Sequence, residues 1–465
     1  MKLPRSLEFL LLTLTIIVTP SVWSDSGSPA KPNILILLAD DLGYGELGCY
    51  GQKVIKTPNI DALAEKGLRF TDFYAGTSVC SPSRGVLMTG IHAGNATIRG
   101  NKGFYPVNGN WDRVALRKSE ITIAEMLKGA GYQTAFVGKW HLGVPEDVST
   151  WAHARGFDFA VQEQWGLKAE GGNFDTRNHW KNGREAEIWY DYTEHECLDA
   201  FRTDIALEFL DQQRDSSKPL FLFMSYRSPH AHERELSETE RYKDKGWPEI
   251  ERRHASRITM LDEQIQRLLD KLDEMGELEN TFILLTSDNG PHNELQHDRF
   301  FFKSSNGLNG YKRDMYEGGI RVPGIAYWPG RSVQGVTDHQ AIFYDIMPTL
   351  ADVAGIPIPN QTDGISFLAE VLGKKQKKHK HLYWELQVVR YASEKGFRQA
   401  ARMGDWKAVR YGNKNKTELY NLKTDLFEKN DVARQYPEIV DRMENILEAE
   451  STKAELWPYS GQGID

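Results

Sequence analysis

The chain has 465 residues, of which 40% are hydrophobic and 26% are charged, and its formal net charge is −8. A chain of this length exceeds the size at which one hydrophobic core usually stops growing, so a large domain and a smaller one are expected. The acidic balance argues against a nucleic-acid-binding protein, because such proteins present a basic surface. It does not exclude an anionic substrate, since a local group of cations is enough to bind one.

Residues 1–24 have the pattern of a secretory signal peptide. Lys2 and Arg5 precede an apolar run over residues 9–18, and residues 22–24 form a cleavage site before Asp25. The apolar run is too short to span a bilayer. We therefore expect an exported protein, periplasmic or secreted, without a stable membrane anchor.

Three continuous apolar runs, each typical of a strand buried on both faces, are followed by polar side chains. They cover residues 34–39, 219–225 and 281–286. Helices are predicted over residues 60–67, 121–129 and 258–272, and a short strand over 134–138. This alternation predicts an α/β fold with a mostly parallel sheet between helical layers.

The basic run at residues 373–381 is interpreted as a solvated loop and not as a polyanion-binding site. It also marks a boundary, which gives a large domain over residues 25–380 and a smaller one over 381–465. Four short strand-like segments and a helix near 437–450 follow this run. They predict a small antiparallel sheet with a closing helix.

The chain contains three cysteines: Cys49, Cys80 and Cys197. An exported protein held together by disulfides would carry more cysteines, in an even number. The sequence leaves Cys49 and Cys197 either as a pair or as two buried thiols.

Two oxygen-rich pairs follow separate predicted strands, Asp40-Asp41 and Asp288-Asn289. Three carboxylates and one amide oxygen suit a hard divalent cation such as Ca²⁺ or Mg²⁺ better than zinc. Each pair taken alone is explained equally well by a turn, because Asp and Asn commonly form turns.

The segment over residues 80–90 combines Cys80, Pro82 and Arg84 with a Thr-Gly ending. A cation one helical turn after a cysteine is expected to lower the pKa of the thiol and to attract an anion. The segment resembles the sulfatase signature Cys-x-Pro-Ser-Arg-x-x-x-x-Thr-Gly at every defining position. The resemblance implies that a formylglycine-generating enzyme oxidises Cys80 to a formylglycine aldehyde while the protein is being made.

Further segments resemble the same family, in block order over roughly residues 32–435. Residues 39–45 and 287–290 resemble its calcium site, which implies that Asp40, Asp41, Asp288, Asn289 and residue 80 meet one Ca²⁺ ion. Residues 138–143 resemble its second signature, in which Lys139 would contact the sulfate and His141 would accept a proton from the hydrated aldehyde. In an extended segment, these two side chains would point to the same side.

The two remaining blocks supply a histidine and a lysine. His230, which follows Pro229, is assigned to protonate the leaving alcohol, with His232 as the competitor because the family usually has His-x-Pro here. Residues 311–323 resemble the fourth block, in which Lys312 would bind the sulfate. Arg84, Lys139, Lys312 and Ca²⁺ would together neutralise the sulfate oxygens.

The resemblance implies an alkaline-phosphatase-like α/β sandwich with a smaller C-terminal domain, and the hydrolysis of sulfate monoesters. The substrate indicated is a sulfated carbohydrate with galactose-type units, from algal galactans or glycosaminoglycans, with Glu385 and Arg398 at the rim of its site. Fold kinship does not by itself fix a substrate. A phosphoesterase or phosphonate hydrolase of the same superfamily, or an inactive protein that binds sulfated glycans, are the alternatives.

Overall fold

The computed structural model describes residues 31–163, 178–191, 194–231, 240–388 and 396–461. The predicted signal peptide and His232 lie outside these ranges. Among the described residues, none of the helices has the length and apolar character needed to cross a membrane. Residues Pro32–Asp465 form one compact unit, and the boundary between residues 380 and 381 stays a prediction.

Eighteen strands occur in the described part of the chain, and their bounds follow in chain order. They are β1 (Asn33–Asp40), β2 (Leu68–Phe70), β3 (Phe73–Tyr74), β4 (Gly103–Tyr105), β5 (Asn110–Asp112), β6 (Gln133–Lys139), β7 (Phe159–Glu163), β8 (Asn178–Lys181), β9 (Ala186–Trp189), β10 (Leu220–Pro229), β11 (Thr281–Ser287), β12 (Gly324–Tyr327), β13 (Gly335–Thr337), β14 (Ala341–Ile342), β15 (Leu382–Gln387), β16 (Phe397–Met403), β17 (Trp406–Tyr411) and β18 (Glu418–Asn421).

Nine α-helices occur in the same described ranges. They are α1 (Pro58–Lys66), α2 (Cys80–Thr89), α3 (Ile123–Gly129), α4 (Leu198–Gln212), α5 (Glu249–Glu274), α6 (Glu317–Ile320), α7 (Ile346–Ala354), α8 (Leu368–Val371) and α9 (Pro437–Ala449).

The main sheet has ten strands in the order β13-β2-β12-β11-β1-β10-β6-β7-β8-β9. Its central strands β11, β1, β10, β6 and β7 are all parallel, and antiparallel strands flank them on both sides. The predicted mostly parallel sheet is thus confirmed. The carboxyl ends of the five central strands meet at one edge, where open α/β sheets place their ligands.

The two faces of the sheet bury separate apolar layers. Ile34, Ile36 and Leu38 of β1 join the layer under α2, α3 and α7, whereas Leu35 and Leu37 join the layer under α1, α4 and α5. This alternation follows from the two-residue period of a strand. It explains why β1 appears in the sequence as an unbroken apolar run.

Helix α5 begins nine residues earlier than the apolar spacing predicts. Its first turns carry the polar residues Glu251 and His254, which are buried and bonded to His297 and Glu46 respectively. An apolar period does not detect a helix that buries hydrogen-bonded polar groups. The predicted start at residue 258 was therefore wrong.

The C-terminal segment contains the predicted small antiparallel sheet. Strands β15 to β18 pair in chain order, and α9 packs against β16 and β17. Met443 and Leu447 of α9 are fully buried in this layer. The smaller sheet and its closing helix are confirmed.

Candidate active site

Two strand ends bring the predicted oxygen ligands together. Asp40 is the last residue of β1, and Asp288 directly follows β11. Since these two strands pair in parallel as neighbours, with Ala39 opposite Ser287, their following residues meet. Asp41 turns with φ +65°, and its N–H donates to Asp288 Oδ1 over 3.1 Å.

Cys80 lies against this acidic cluster at the first position of α2. Its Sγ is 3.6 Å from Asp40 Oδ1 and 4.0 Å from Asp41 Oδ1. One ligand atom from each of Asp40, Asp41, Cys80 and Asp288 lies within 4.8 Å of the others, and all four residues are buried. Four residues from three segments distant in the sequence thus form one centre.

Each carboxylate of the cluster has its own cation. Lys139 Nζ donates to Asp40 Oδ2 over 2.6 Å, and Lys312 Nζ donates to Asp41 Oδ2 over 2.7 Å. Arg84 Nε donates to Asp288 Oδ2 over 2.8 Å. Buried charges are tolerated when they are paired in this way.

Arg84 fixes the helix that carries Cys80. Besides its bond to Asp288, its Nη1 donates to the Lys139 carbonyl oxygen over 2.8 Å and to Ser225 Oγ over 2.6 Å. The arginine therefore joins α2 to β11, β6 and β10. Its predicted contact with sulfate stays a prediction.

His230 faces the cluster from the end of β10. Its Nε2 is 3.7 Å from Asp41 Oδ2, and its Nδ1 donates to the Ala231 carbonyl oxygen over 2.5 Å. Because a carbonyl only accepts, Nδ1 carries a hydrogen and Nε2 is the nitrogen directed to the site. The choice between His230 and His232 stays a prediction.

His141 differs from its expected geometry. Strand β6 ends at Lys139, and His141 has φ +59°, in the left-handed region. The expectation that both residues lie in one extended segment was therefore wrong. The Ser81 hydroxyl donates to the His141 carbonyl oxygen over 2.8 Å, which ties this turn to the residue after Cys80.

Both histidines are uncharged at neutral pH. Burial lowers the pKa of His141 well below its usual value, and the nearby cation Arg113 lowers it further. Burial, followed by the charge of Arg227, likewise holds the pKa of His230 well below its usual value.

The buried acids and the thiol are shifted in different directions. Burial raises the pKa of Asp41 to about 6 despite the charge of Lys312. Burial also acts to raise the pKa of Asp40, but the charges of Lys139 and Arg84 outweigh it and hold that pKa well below the usual range. Burial raises the pKa of the Cys80 thiol to about 12, more than Lys139 lowers it. The expectation that a neighbouring cation lowers this pKa was wrong, because desolvation of the thiolate outweighs the cation.

The side chains of the cluster fit an oxygen-preferring metal ion. Asn289 Nδ2 donates to Asp41 Oδ1 over 2.7 Å, whereas no donor in the described part of the chain reaches the buried Asn289 Oδ1. A buried oxygen without a donor is costly unless a cation or water occupies the space before it. Together with three carboxylates, it makes a donor set that suits Ca²⁺.

The sequence analysis did not identify the charged residues that lie behind Asp40. Glu163, at the end of β7, accepts from Arg227 Nη1 over 2.8 Å and from Arg202 Nη2. Arg227 also lies 3.7 Å from Asp40 Oδ2. The polar end of the apolar run before Pro229 was the available signal for Arg227; nothing comparable marks Arg202 on α4.

A cavity of about 400 Å³ opens beside Lys312. Arg313, Asp314 and Arg398 line it, and Arg398 is held by Asp314 Oδ1 at 3.0 Å and by stacking over the Tyr411 ring. Its volume lies within the range of small-molecule sites. Arg398 thus lies where a rim residue was expected.

Glu385 does not lie at the rim. It is fully buried, and its carboxylate accepts from Arg99 Nη1 over 3.2 Å and from the Tyr383 hydroxyl over 2.8 Å. Its predicted contact with substrate was therefore wrong. All three cysteines are free thiols, so the structure contains no Cys49–Cys197 pair.

Two protein-family models match this chain over ranges that contain the residues of the site. Residues 32–356 match the Sulfatase family, and residues 309–453 match the family described as N-sulphoglucosamine sulphohydrolase, C-terminal. The chain is 33% identical to an arylsulfatase of Hemicentrotus pulcherrimus over 76% of this chain and 64% of that protein. It is 28% identical to an N-acetylgalactosamine-6-O-sulfatase of Bacteroides thetaiotaomicron, over 93% of this chain and 96% of that protein.

Its fold is also similar to a solved structure, that of Ps i-CgsB in complex with k-i-k-neocarrahexaose. The TM-score is 0.77 at 27% identity, over 92% of this chain and 95% of that one.

Proposed function

Because the chain belongs to the sulfatase family, whose members hydrolyse sulfate esters, we propose that it removes sulfate from a sulfated carbohydrate. The observation that supports this most directly is the convergence of Cys80, three carboxylates and two lysines at one sheet edge. The substrate is a galactose-type unit of an algal galactan or a glycosaminoglycan. The N-acetylgalactosamine-6-O-sulfatase and the neocarrahexaose complex, both similar to this chain, support that choice.

The proposal includes two groups that the protein must acquire. Asp40, Asp41, Asp288, Asn289 and residue 80 would hold Ca²⁺, which when bound would supply positive charge beside the sulfate. Residue 80 would act as formylglycine, whose hydrated aldehyde offers one hydroxyl as the nucleophile and a second one that expels sulfate, which a cysteine thiol lacks. A formylglycine-generating enzyme is therefore a partner of the newly made chain, and the signal peptide directs the protein to the periplasm or outside the cell.

Lys139 and Lys312 bind the sulfate oxygens from two sides. In the structure each ammonium contacts an aspartate, Asp40 or Asp41. A cation already positioned by a buried carboxylate needs no rearrangement when negative charge develops, and such preorganised charge is usually the largest contribution to rate. Arg84 positions Asp288 and the start of α2.

His230 and His141 are the proposed general acid and general base. His230, uncharged in the free protein, would take up a solvent proton at Nε2 when the anionic substrate binds and would pass it to the departing sugar oxygen. His141 would accept the proton removed from the hydrated aldehyde at residue 80 when sulfate leaves. The cavity beside Lys312 receives the sugar, and Arg398 contacts it there.

Sulfate release from defined sulfated galactan and glycosaminoglycan oligosaccharides tests the proposal. The protein is co-produced with a formylglycine-generating enzyme and supplied with Ca²⁺, and the aldehyde is confirmed by peptide mass. Cys80→Ala is expected to abolish release, whereas Cys49→Ala, a control thiol outside the cluster, keeps it. No release from any member of the panel by aldehyde-containing protein would reject a galactan or glycosaminoglycan substrate. Release of phosphate from matched phosphate esters alone would favour a phosphoesterase.

A further inference from the structure

An arginine that the mechanism does not use projects from a small hairpin beside the site. Strands β4 and β5 pair as a hairpin, and Arg113 directly follows β5. The Tyr105 hydroxyl donates to the Arg113 carbonyl oxygen over 2.7 Å. This bond fixes the backbone from which the arginine extends.

The guanidinium of Arg113 lies at the catalytic end of the sheet. Arg113 lines a small cavity together with Lys139, His141 and Glu163. Among the charges that act on His141, that of Arg113 is the strongest. The side chain therefore reaches the group of residues assigned to the reaction.

Among the described residues, Arg113 differs from the neighbouring cations because no carboxylate is paired with it alone. Lys139, Lys312 and Arg84 are each paired with an aspartate. In the described ranges of the chain, the Arg113 guanidinium makes no ion pair. Glu163, the acid that acts on it most strongly, is already shared by two other arginines.

The surplus charge persists at neutral pH. Burial lowers the pKa of Arg113 to about 10, which still leaves the group protonated. A half-buried cation without a counter-ion is unfavourable in the free protein, and an anion that binds to it relieves this cost. A guanidinium also matches sulfate and carboxylate groups through two parallel hydrogen bonds.

We propose that Arg113 binds a second anionic substituent of the substrate, a sulfate or carboxylate group near the ester that is cleaved. This inference rests on the proposed function, because it assumes a sulfated carbohydrate at the site. The reacting sulfate is met by Lys139 and Lys312, so Arg113, which forms no ion pair with any described residue, is available for a further negative charge. The protein would accordingly prefer glycans that carry more than one anionic group.

Three matched oligosaccharides test the inference. Each carries the same cleavable sulfate ester, and its neighbouring sugar is neutral, sulfated or a uronate. The quantity measured is kcat/KM for each anionic substrate divided by that for the neutral one, with 4-nitrophenyl sulfate as a further substrate. Arg113→Gln, Arg113→Lys and the exposed control Arg117→Gln are compared with the unmodified sequence, and Tm reports folding.

The unmodified protein is expected to favour one or both anionic neighbours, and Arg113→Gln to reduce that ratio about 10- to 100-fold, as the loss of a charge-assisted pair predicts. Arg113→Lys should restore part of the ratio, and Arg117→Gln should leave it unchanged. The substrate whose ratio falls identifies the group as sulfate or carboxylate.

The inference would be overturned if folded Arg113→Gln gave the same ratio as the unmodified sequence. It would also be overturned by an equal loss of kcat/KM on every substrate, because that result would place Arg113 on the reacting sulfate or on His141. Absence of sulfate release from all substrates, 4-nitrophenyl sulfate included, would instead overturn the proposed function and the inference with it.

Discussion

Within the described residues, Lys407 is the only buried lysine that joins the small sheet to the segment following Lys312. Replacing Lys407 by methionine removes this connection. Lys407 lies on β17 with no exposed surface, and its Nζ is 2.8 Å from Glu317 Oε1 and 2.8 Å from Glu428 Oε1. Glu317 begins α6, five residues after Lys312. Methionine has a similar volume but no charge.

The loss of stability in Lys407→Met depends on the partners that Glu317 and Glu428 keep. Removing one partner of a buried ion pair costs about 3–5 kcal/mol, because a charge is left unpaired. Glu317 keeps Arg321, whose Nε donates to it over 2.7 Å. Burial raises the pKa of Glu428 to about 7 even with Lys407 present, so this group takes up a proton readily. We therefore expect a loss at the lower end, about 3 kcal/mol in the free energy of unfolding.

Urea unfolding at neutral pH, followed by far-UV circular dichroism, measures this loss as a lower midpoint at unchanged slope. Lys414→Met, at an exposed position, is the control and should unfold as the unmodified protein does. The double variant with Glu428→Gln should lose less than the sum of the single changes, because the two residues are in contact. A loss below about 1 kcal/mol for Lys407→Met would refute the reasoning, since it would mean that the pair contributes no more than an exposed one.

Three further results are expected. Ca²⁺ at 100 times its Kd should raise the free energy of unfolding by about 2.7 kcal/mol, seen as a higher Tm in scanning fluorimetry; Asn289→Leu should reduce this shift, and an unchanged Tm of the unmodified protein would contradict the metal site. His230→Ala should lower kcat/KM roughly 100-fold or more on a sugar sulfate and much less on 4-nitrophenyl sulfate, whose leaving group needs no proton; equal losses would exclude His230 as the acid. Burial opposes the charge of Glu163, but Arg227 and Arg202 hold its pKa at about 2, below the usual 4.5. Its stabilisation is complete above pH 4.5 and is lost as the pH falls towards 2, so Glu163→Gln should flatten acid unfolding over that range, and an unaltered profile would count against this linkage.

The parts of the site that the sequence reveals are those that follow directly from strands. Asp40 and Asp288 could be placed together because each ends an apolar run, and the ends of parallel strands share one edge of a sheet. Cys80 and Lys312 were found through family motifs, since neither has a local pattern that indicates its position beside the aspartates.

What the sequence could not give depends on contacts between distant segments. The charge state of Cys80 follows from its burial, which no cation four residues away can predict. Arg113 comes from a hairpin without any motif, and Arg202 reaches Glu163 from the far side of the sheet through α4. Such residues are identified by what the fold places around them, and not by their own sequence neighbours.

The complete burial of helix α2 imposes an order of events on the newly made chain. All ten of its residues are buried, Cys80 is 2% exposed, and Arg84 fastens the helix to three strands. The proposed oxidation of Cys80 would need access to this segment before it is buried, so oxidation and folding would compete in time for the same eleven residues. Chains that fold first retain the thiol for as long as the native state lasts. If Cys80 is oxidised as proposed, the aldehyde content of a preparation would record the outcome of that competition, and slower folding at lower temperature should raise it.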